Sequence, residues 1–218
     1  MEQDAFERMQ NSRMYRFFEC LYRLFQINLC MLLLAICGLV MFGLFPAMFA
    51  AAAYFNDVFE GKEGKVFRSM FGYFRQYFWI GNILMLIYVP AVAFGFYGVY
   101  GRELNTAAYL ILFCWLIGAV VLRWYLPAVN VLYPEFSVKK KILFALVVSC
   151  NRWTVTLSFV VFHVAWLYAA LLAPQLMMFI LFSAPAWFTQ WRVKKVMKPD
   201  SFYDPLAEEE ETGGGQYE

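Results

Sequence analysis

The sequence predicts an all-α fold, a polytopic bundle of transmembrane helices. Hydrophobic residues make up 62% of the 218 residues and charged residues only 16%, whereas soluble domains are about half apolar and about a quarter charged. Several apolar runs exceed the length of about 18 residues that predicts a membrane span. Almost all cations lie at the ends of these runs, where the topology of a membrane protein places them.

Six apolar stretches are candidates for the spans. The second is the shortest, about 21 Å long as a helix against a hydrocarbon core of about 30 Å. We predict it as a short return span that begins at Pro46, because the missing N–H of proline suits a first helical turn. Gly43, Ala47, Ala50 and Ala51 would let this helix pack closely on the first. The stretches are 24–45, 46–59, 77–100, 105–126, 153–173 and 175–191.

The distribution of Lys and Arg predicts the orientation of these spans. Loops rich in Lys and Arg stay in the cytoplasm, so the basic amino-terminal segment and the basic gap at 62–75 must be separated by an even number of crossings. With six spans, every cation except Arg102 falls inside. Five spans, with 46–59 lying on the surface, would put the four cations of 62–75 outside. We therefore predict a multi-pass membrane protein with both termini in the cytoplasm.

The segment "EGKEGKVFRSMFGYFRQYF", residues 60–78, has the pattern of an amphipathic helix. At helical spacing its rings and Met70 fall on one face, while Lys65, Arg68 and Arg75 fall on the other. Such a helix lies at the inner membrane interface, where each base near an anionic leaflet contributes about 1 kcal/mol. Nucleic-acid binding is disfavoured because the rings needed for stacking would be buried. A clamp for anionic ligands and a partner-docking face stay open as alternatives.

Two further segments are assigned from composition. Residues 142–173 are too long for one span, so Asn151 and Arg152 mark a boundary and 137–150 forms an elbow helix at the inner interface. Beyond Lys198 the chain holds seven acids and no base, which predicts a disordered acidic tail. The predicted domains are thus a transmembrane domain at 1–198 and a tail at 199–218.

Chemistry-bearing residues are sparse within the predicted spans. His163, the single histidine, and Asn82 are the candidates for an intramembrane polar path, but each can instead hydrogen-bond a neighbouring helix. The sequence holds no pattern for a nucleophile with its base, a phosphate-binding loop or a HExxH metal motif. We therefore expect no enzyme activity, no cofactor and no metal site.

The first half of the chain resembles the YesL family of bacterial integral membrane proteins. The resemblance rests on "RFFECLYRLFQINLCMLLLAICGL" and "GLFPAMFAAAAYFNDVFEGKEGKVFRSMFGYFRQYFWIGNI". It extends over about residues 17–196, with Phe45 and the alanines at 50–53 departing from the family's Gly and Thr around the Pro-Ala turn. The resemblance implies a polytopic protein of unassigned biochemical activity whose genes neighbour carbohydrate-uptake ABC transporters and glycoside-degrading enzymes.

This context leads to two expectations about function. The favoured one is a non-enzymatic accessory or regulatory subunit that contacts the permease or ATPase of a carbohydrate ABC uptake system. The alternative is a small-solute transporter or channel in its own right, with His163 and Asn82 lining its path. The residues expected to contact the partner or lipid are Lys62, Lys65, Arg68, Arg75, Lys139, Lys140 and Lys141.

Overall fold

The computed structural model describes residues 13–62, 64–100, 106–177 and 179–197. Over these ranges the chain forms eight helical segments and no strand, which confirms the predicted all-α class. The predicted tail at 199–218 lies outside the described residues. The helices are α1 (Arg13–Cys37), α2 (Met41–Phe59), α3 (Val66–Tyr100), α4 (Thr106–Leu132), α5 (Val138–Asn151), α6 (Trp153–Leu172), α7 (Pro174–Met177) and α8 (Ser183–Val196).

Five helices in the described ranges, rather than six, are long and apolar enough to cross a membrane. They are α1 to α4 and α6, so the chain is a multi-pass membrane protein in a lipid bilayer. The sixth predicted stretch, 175–191, divides instead between the single turn α7 and the 14-residue helix α8. At about 1.5 Å per residue, α8 reaches about 21 Å and cannot cross the core alone.

The helical hairpin of α1 and α2 closes earlier than the sequence predicts. Leu39 and Val40 adopt positive φ angles of 57° and 61°, which turns the chain within three residues, so that α2 begins at Met41. Pro46 therefore lies inside α2 and not in its first turn. The turn requires Gly38, because a Cβ there would lie 2.3 Å from the Cα of Gly43.

Helix α2 forms the centre of the bundle, and its small residues pack against α1 as the sequence predicts. Two-thirds of its residues are buried, against about one-tenth of those in α6. Ala47, Ala50 and Ala51 pack against Ile27 and Leu34 of α1 in one apolar cluster. Helix α2 also packs most extensively on α3, where Gly81 lies directly against the ring of Pro46. The absence of a side chain at Gly81 is what lets these two helices come so close.

The predicted amphipathic helix is not a separate element. It forms the first turns of α3, which continues for 35 residues from Val66 to Tyr100. No proline or capping residue interrupts the helical pattern between the amphipathic segment and the third apolar stretch. A continuous helix therefore satisfies every backbone N–H and C=O between them, which a break near the bilayer would leave exposed.

The elbow helix confirms the predicted boundary at Asn151 and Arg152. Helix α5 ends at Asn151, Arg152 forms the turn, and α6 begins at Trp153. The side chains of α5 and α6 pack with those of α3 and α4 in a second apolar cluster that includes Leu84, Tyr125, Val148 and Phe159. Exposed aliphatic side chains along α6, such as Val164 and Leu171, face the lipid.

Helix α8 begins inside the bundle because two side chains hold the turn before it. Pro185 has no N–H for the Leu181 carbonyl four residues earlier, and the indole N–H of Trp166 donates to that carbonyl at 3.2 Å. The backbone N–H of Phe182 donates to the Asn28 Oδ1 of α1 at 3.0 Å. These bonds replace the helical ones that a longer span would have made.

Candidate functional site

Most of the predicted contact residues lie at one end of the bundle, which we call the basic end. Helices α3 and α4 run antiparallel, with Phe94 packed on Trp115 and Arg123 beside Tyr88. The start of α3 and the end of α4 therefore lie at the same end of the bundle. The carboxyl end of α8 joins them through an ion pair between Lys194 and Glu60.

Six of the seven predicted cations are exposed at or near the basic end. Their side chains carry positive charge that is open to solvent, to lipid headgroups or to a partner. The six are Lys62, Lys65, Arg68, Arg75, Lys139 and Lys140. The first four flank or begin α3, and the last two begin α5, the helix that follows the end of α4.

Lys62 also forms an ion pair with another residue of the chain, Glu60. Its Nζ donates to Glu60 Oε2 at 2.8 Å, while Glu60 Oε1 accepts from Asn56 at 2.9 Å and from Lys194 at 3.1 Å. The hydrogen bond from Lys62 is the main reason that the pKa of Glu60 falls to about 2, and the same contact raises the pKa of Lys62. Glu60 thus ties the loop before α3 to the carboxyl end of α8.

The Glu60 contact predicts a pH-dependent stability. The folded-state pKa of about 2 lies below the ordinary value of 4.5, so the stabilisation is complete above the ordinary value and is lost as the pH falls toward the folded one. We expect Glu60→Gln to lower the thermal unfolding midpoint at pH 6. The difference from the wild type should shrink as the pH falls from 5 to 3, because the Glu60 carboxyl of the unfolded chain takes up a proton in this range while that of the folded chain stays ionised until the pH nears 2.

The matched control is Glu135→Gln, which removes an exposed acid after α4. Among the residues described, no ion pair is recorded for Glu135. Its unfolding midpoint should therefore follow that of the wild type at both pH values. A constant difference between Glu60→Gln and the wild type from pH 6 to pH 3 would contradict the assigned ion pairs.

The large apolar side chains of the amphipathic segment lie in two different environments. Met70 and Phe74 are buried in the cluster between α1 and α2. Phe67 and Phe71 stack on each other with centroids 6.3 Å apart and stay exposed. The segment is therefore anchored to the bundle on one side and presents a pair of rings beside its cations on the other.

Lys141 differs from the other predicted contact residues because it is buried. It is 7% exposed, and its Nζ donates to Asn130 Oδ1 at 2.7 Å and to the Pro134 carbonyl at 3.1 Å. Burial lowers the pKa of Lys141. The prediction placed Lys141 on the contact surface with Lys139 and Lys140, whereas it joins the end of α4 to α5. The helical turn of α5 is the cause, since it points the third lysine of the run inward.

The two residues predicted to line an intramembrane path are not brought together. His163 Nδ1 bonds the Phe159 carbonyl of its own helix at 2.8 Å, and its ring packs on Trp124 with centroids 5.1 Å apart. Asn82 donates to the Phe78 carbonyl of α3 at 2.8 Å. His163 lines a cavity of about 260 Å³, and Asn82 is not among the residues that line it.

This cavity lies between α1, α2, α4, α6 and α8, and sequence reasoning did not identify it. Its walls are mostly apolar, with Met31, Met48 and Leu181 among them. The polar or aromatic side chains that line it are Arg123, Trp124, His163, Trp166, Phe182, Thr189 and Gln190. Of these residues the sequence singled out only His163 as a candidate site. Arg123 fell near the end of the predicted stretch 105–126, and α4, which extends to Leu132, places it well inside a span.

Comparison with known proteins matches part of the chain to a family of unassigned function. Residues 24–99 match the family model described as "Protein of unknown function, DUF624". This match covers α2, most of α1 and nearly all of α3. No curated protein and no solved structure matches the chain.

Proposed function

We propose that this chain is a non-enzymatic accessory or regulatory subunit of a carbohydrate ABC uptake system, located in the bacterial cytoplasmic membrane. In this proposal the basic end faces the cytoplasm and both termini lie on that side. Although five helices cross the membrane, the segment after α6 returns to the basic end, where Lys194 of α8 pairs with Glu60. Lipid binds the apolar flanks of the bundle, and the transporter's permease or ATPase docks at the basic end. The link to sugar uptake rests on the resemblance of residues 17–196 to the YesL family.

The observation that carries the docking proposal is the set of exposed cations at the basic end. Lys65, Arg68, Lys139 and Lys140 are exposed, and no ion pair to any of them is recorded in the described ranges. Their charge is therefore available to an acidic surface, where complementary potentials guide association and fix its register. The same charge supports the cytoplasmic orientation, since each base near an anionic leaflet contributes about 1 kcal/mol.

Next to these cations, Phe67 and Phe71 supply an apolar contact. Both rings are about half exposed and stack on each other. Aromatic side chains flanked by Arg are enriched at protein–protein interfaces, because they bury large areas with few torsions to fix. The start of α3 thus combines the two features that a docking surface needs.

Affinity purification from the native host tests this function. A tagged wild-type chain in mild detergent should bring down permease or ATPase subunits of an ABC transporter. We expect the variant Lys65→Gln, Arg68→Gln, Lys139→Gln, Lys140→Gln to recover about tenfold less, since about 1.4 kcal/mol of lost attraction over four charges corresponds to that factor.

The matched control preserves the charges: Lys65→Arg, Arg68→Lys, Lys139→Arg and Lys140→Arg. It should recover the transporter subunits as the wild type does. Recovery of no transporter subunit by the wild type would overturn the accessory function. Equal recovery by the wild type and the neutral variant would move the docking surface away from the basic end.

The alternative of a solute path through His163 and Asn82 has less support. The side chain of Asn82 bonds within α3, while His163 lies at the cavity beside α4 and α8. A path that used both residues would need polar groups between them. We therefore do not advance a transport function on these two residues.

A further inference from the structure

Arg123 places a positive charge within the membrane-spanning part of the bundle. It lies nine residues before the end of α4 at Leu132, or about 13 Å along the helix from that end. Ionisable side chains at this depth are costly and mark functional sites by default. Arg123 lines the cavity described above.

The contact that this guanidinium makes is weak for a half-buried charge inside a span. Its carbon lies 6.0 Å from the centroid of the Tyr88 ring, at the outer limit of a cation–π contact. Within the described part of the chain, neither a carboxylate nor another anion pairs with it. The residues that line the cavity include no Asp or Glu, so the cavity carries a net positive charge.

Two other side chains that line the cavity have unused hydrogen-bonding groups. Gln190 is 1% exposed, and neither its Nε2 nor its Oε1 has a hydrogen-bond partner in the structure described. The indole N–H of Trp124, the next residue to Arg123, is also without a partner there. Unsatisfied buried polar groups destabilise a folded protein and are rare. These donors are clustered at the same cavity as the unpaired cation.

Neighbouring contacts hold the Trp124 indole in place, while the Gln190 amide is free to turn. The ring of His163 packs on the Trp124 indole, and its Nδ1 is bonded to the Phe159 carbonyl. Thr189 donates its hydroxyl hydrogen to the Pro185 carbonyl at 2.8 Å. Its oxygen can therefore only accept further hydrogen bonds. The terminal torsion of Gln190 is soft, so its amide can turn toward a group bound beside Arg123.

We propose that this intramembrane cavity binds a compact organic anion. Its carboxylate or phosphate oxygens accept hydrogen bonds from Arg123, Gln190 and Trp124, and the rest of the molecule packs against Met31 and Met48. A guanidinium suits this role because its planar donors match the oxygens of carboxylate and phosphate. The volume of about 260 Å³ lies just below the ~300–1,000 Å³ range of small-molecule pockets, which limits the ligand to a small molecule or a headgroup.

The anion can reach the cavity from two sources. Leu167 lines the cavity and is 65% exposed, so the wall formed by α6 continues onto the lipid-facing surface. A phospholipid could therefore insert its phosphate from the side, or a soluble anion could enter from the aqueous phase. The chemistry recognised at Arg123 is the same in both cases. This proposal does not depend on the docking function of the basic end.

Thermal unfolding in an uncharged detergent tests the proposal. The probes are inorganic phosphate and acetate as soluble anions, and phosphatidylglycerol against phosphatidylcholine as lipids. A binding anion should raise the Tm of the wild type by about 5–10 °C at about one hundred times its dissociation constant. Arg123→Gln should lose this response without a lower Tm in the absence of anion, because the substitution removes an unpaired charge.

Two further variants separate a binding role from a structural one. Gln190→Leu should raise the Tm without anion and reduce the response to anion, since it removes an unsatisfied amide. The double variant Lys139→Gln, Lys140→Gln should keep the full response, which excludes binding at the basic end.

A response to phosphatidylglycerol alone assigns the site to a headgroup, and a response to phosphate or acetate assigns it to a soluble anion. The proposal is overturned if no probe stabilises the wild type or if Arg123→Gln responds equally.

Discussion

Gly81→Ala should destabilise the bundle by about 1–3 kcal/mol, the usual cost of overpacking a close contact. A Cβ at Gly81 would lie 2.6 Å from the Pro46 N and 2.8 Å from its Cα. These are backbone atoms of the central helix α2, so the contact cannot be relieved by rotating a side chain. Helices α2 and α3 would have to separate, and the alanines buried along α2 would lose packing. Thermal unfolding in detergent should show a fall in Tm of about 3–10 °C.

Gly72→Ala is the matched control for this prediction. Gly72 lies in the same helix, is exposed, and has open space where a Cβ would stand. Alanine favours a helix over glycine by about 0.8–1 kcal/mol, so Gly72→Ala should raise the Tm or leave it unchanged. The same substitution at two sites in α3 should thus lower the Tm at Gly81 and should not lower it at Gly72. A Gly81→Ala protein that unfolds no earlier than the wild type would refute the close approach of α2 and α3.

Lys141→Ala should cost about 2–3 kcal/mol, because it removes two hydrogen bonds from a charged donor and leaves a buried acceptor unpaired. The acceptor is Oδ1 of Asn130, a residue that is 2% exposed. The carbonyl of Pro134 loses its contact with the same ammonium group. The end of α4 and the start of α5 are then no longer joined through this side chain. The midpoint of thermal unfolding measures the loss.

Lys140→Ala is the control for Lys141, since it removes the adjacent but exposed lysine. Exposed substitutions without packing or partners usually change stability by no more than about 0.5 kcal/mol. The contrast between the two neighbours isolates the buried contact from the effect of removing a charge. Equal stability of the two variants would mean that the desolvation of the Lys141 ammonium cancels its hydrogen bonds.

The helices that cross the membrane were predictable because a span leaves a long, unambiguous apolar signal. The elbow at Arg152 was also predictable, since the region was too long for one crossing. The exact starts and ends were not. The beginning of α2 depends on Leu39 and Val40 adopting positive φ angles, which β-branched valine rarely does. The short form of α8 depends on bonds from Asn28 and Trp166, which no local pattern reveals.

The candidate sites, too, could be predicted from the sequence only in part. Exposed cations at the basic end followed from charge patterning, because loops rich in Lys and Arg cluster on one side of a membrane protein. The burial of Lys141 required the orientation of α5 against α4. The cavity at Arg123 required five helices to be placed together, and His163 was its only residue that the sequence singled out as a candidate site. Tertiary placement, rather than composition, decides whether a polar residue in a span is structural or lines a site.

The short helix α8 has a consequence for biosynthesis. With about 21 Å of helix it cannot insert into a bilayer as an independent span. Its first backbone bond is accepted by Asn28, which lies 154 residues earlier in the chain. The segment can reach its place only after α1 and α6 are already in the membrane. Because α8 lines the cavity and pairs with Glu60, both features depend on the docking of α8 against helices that are already in the membrane.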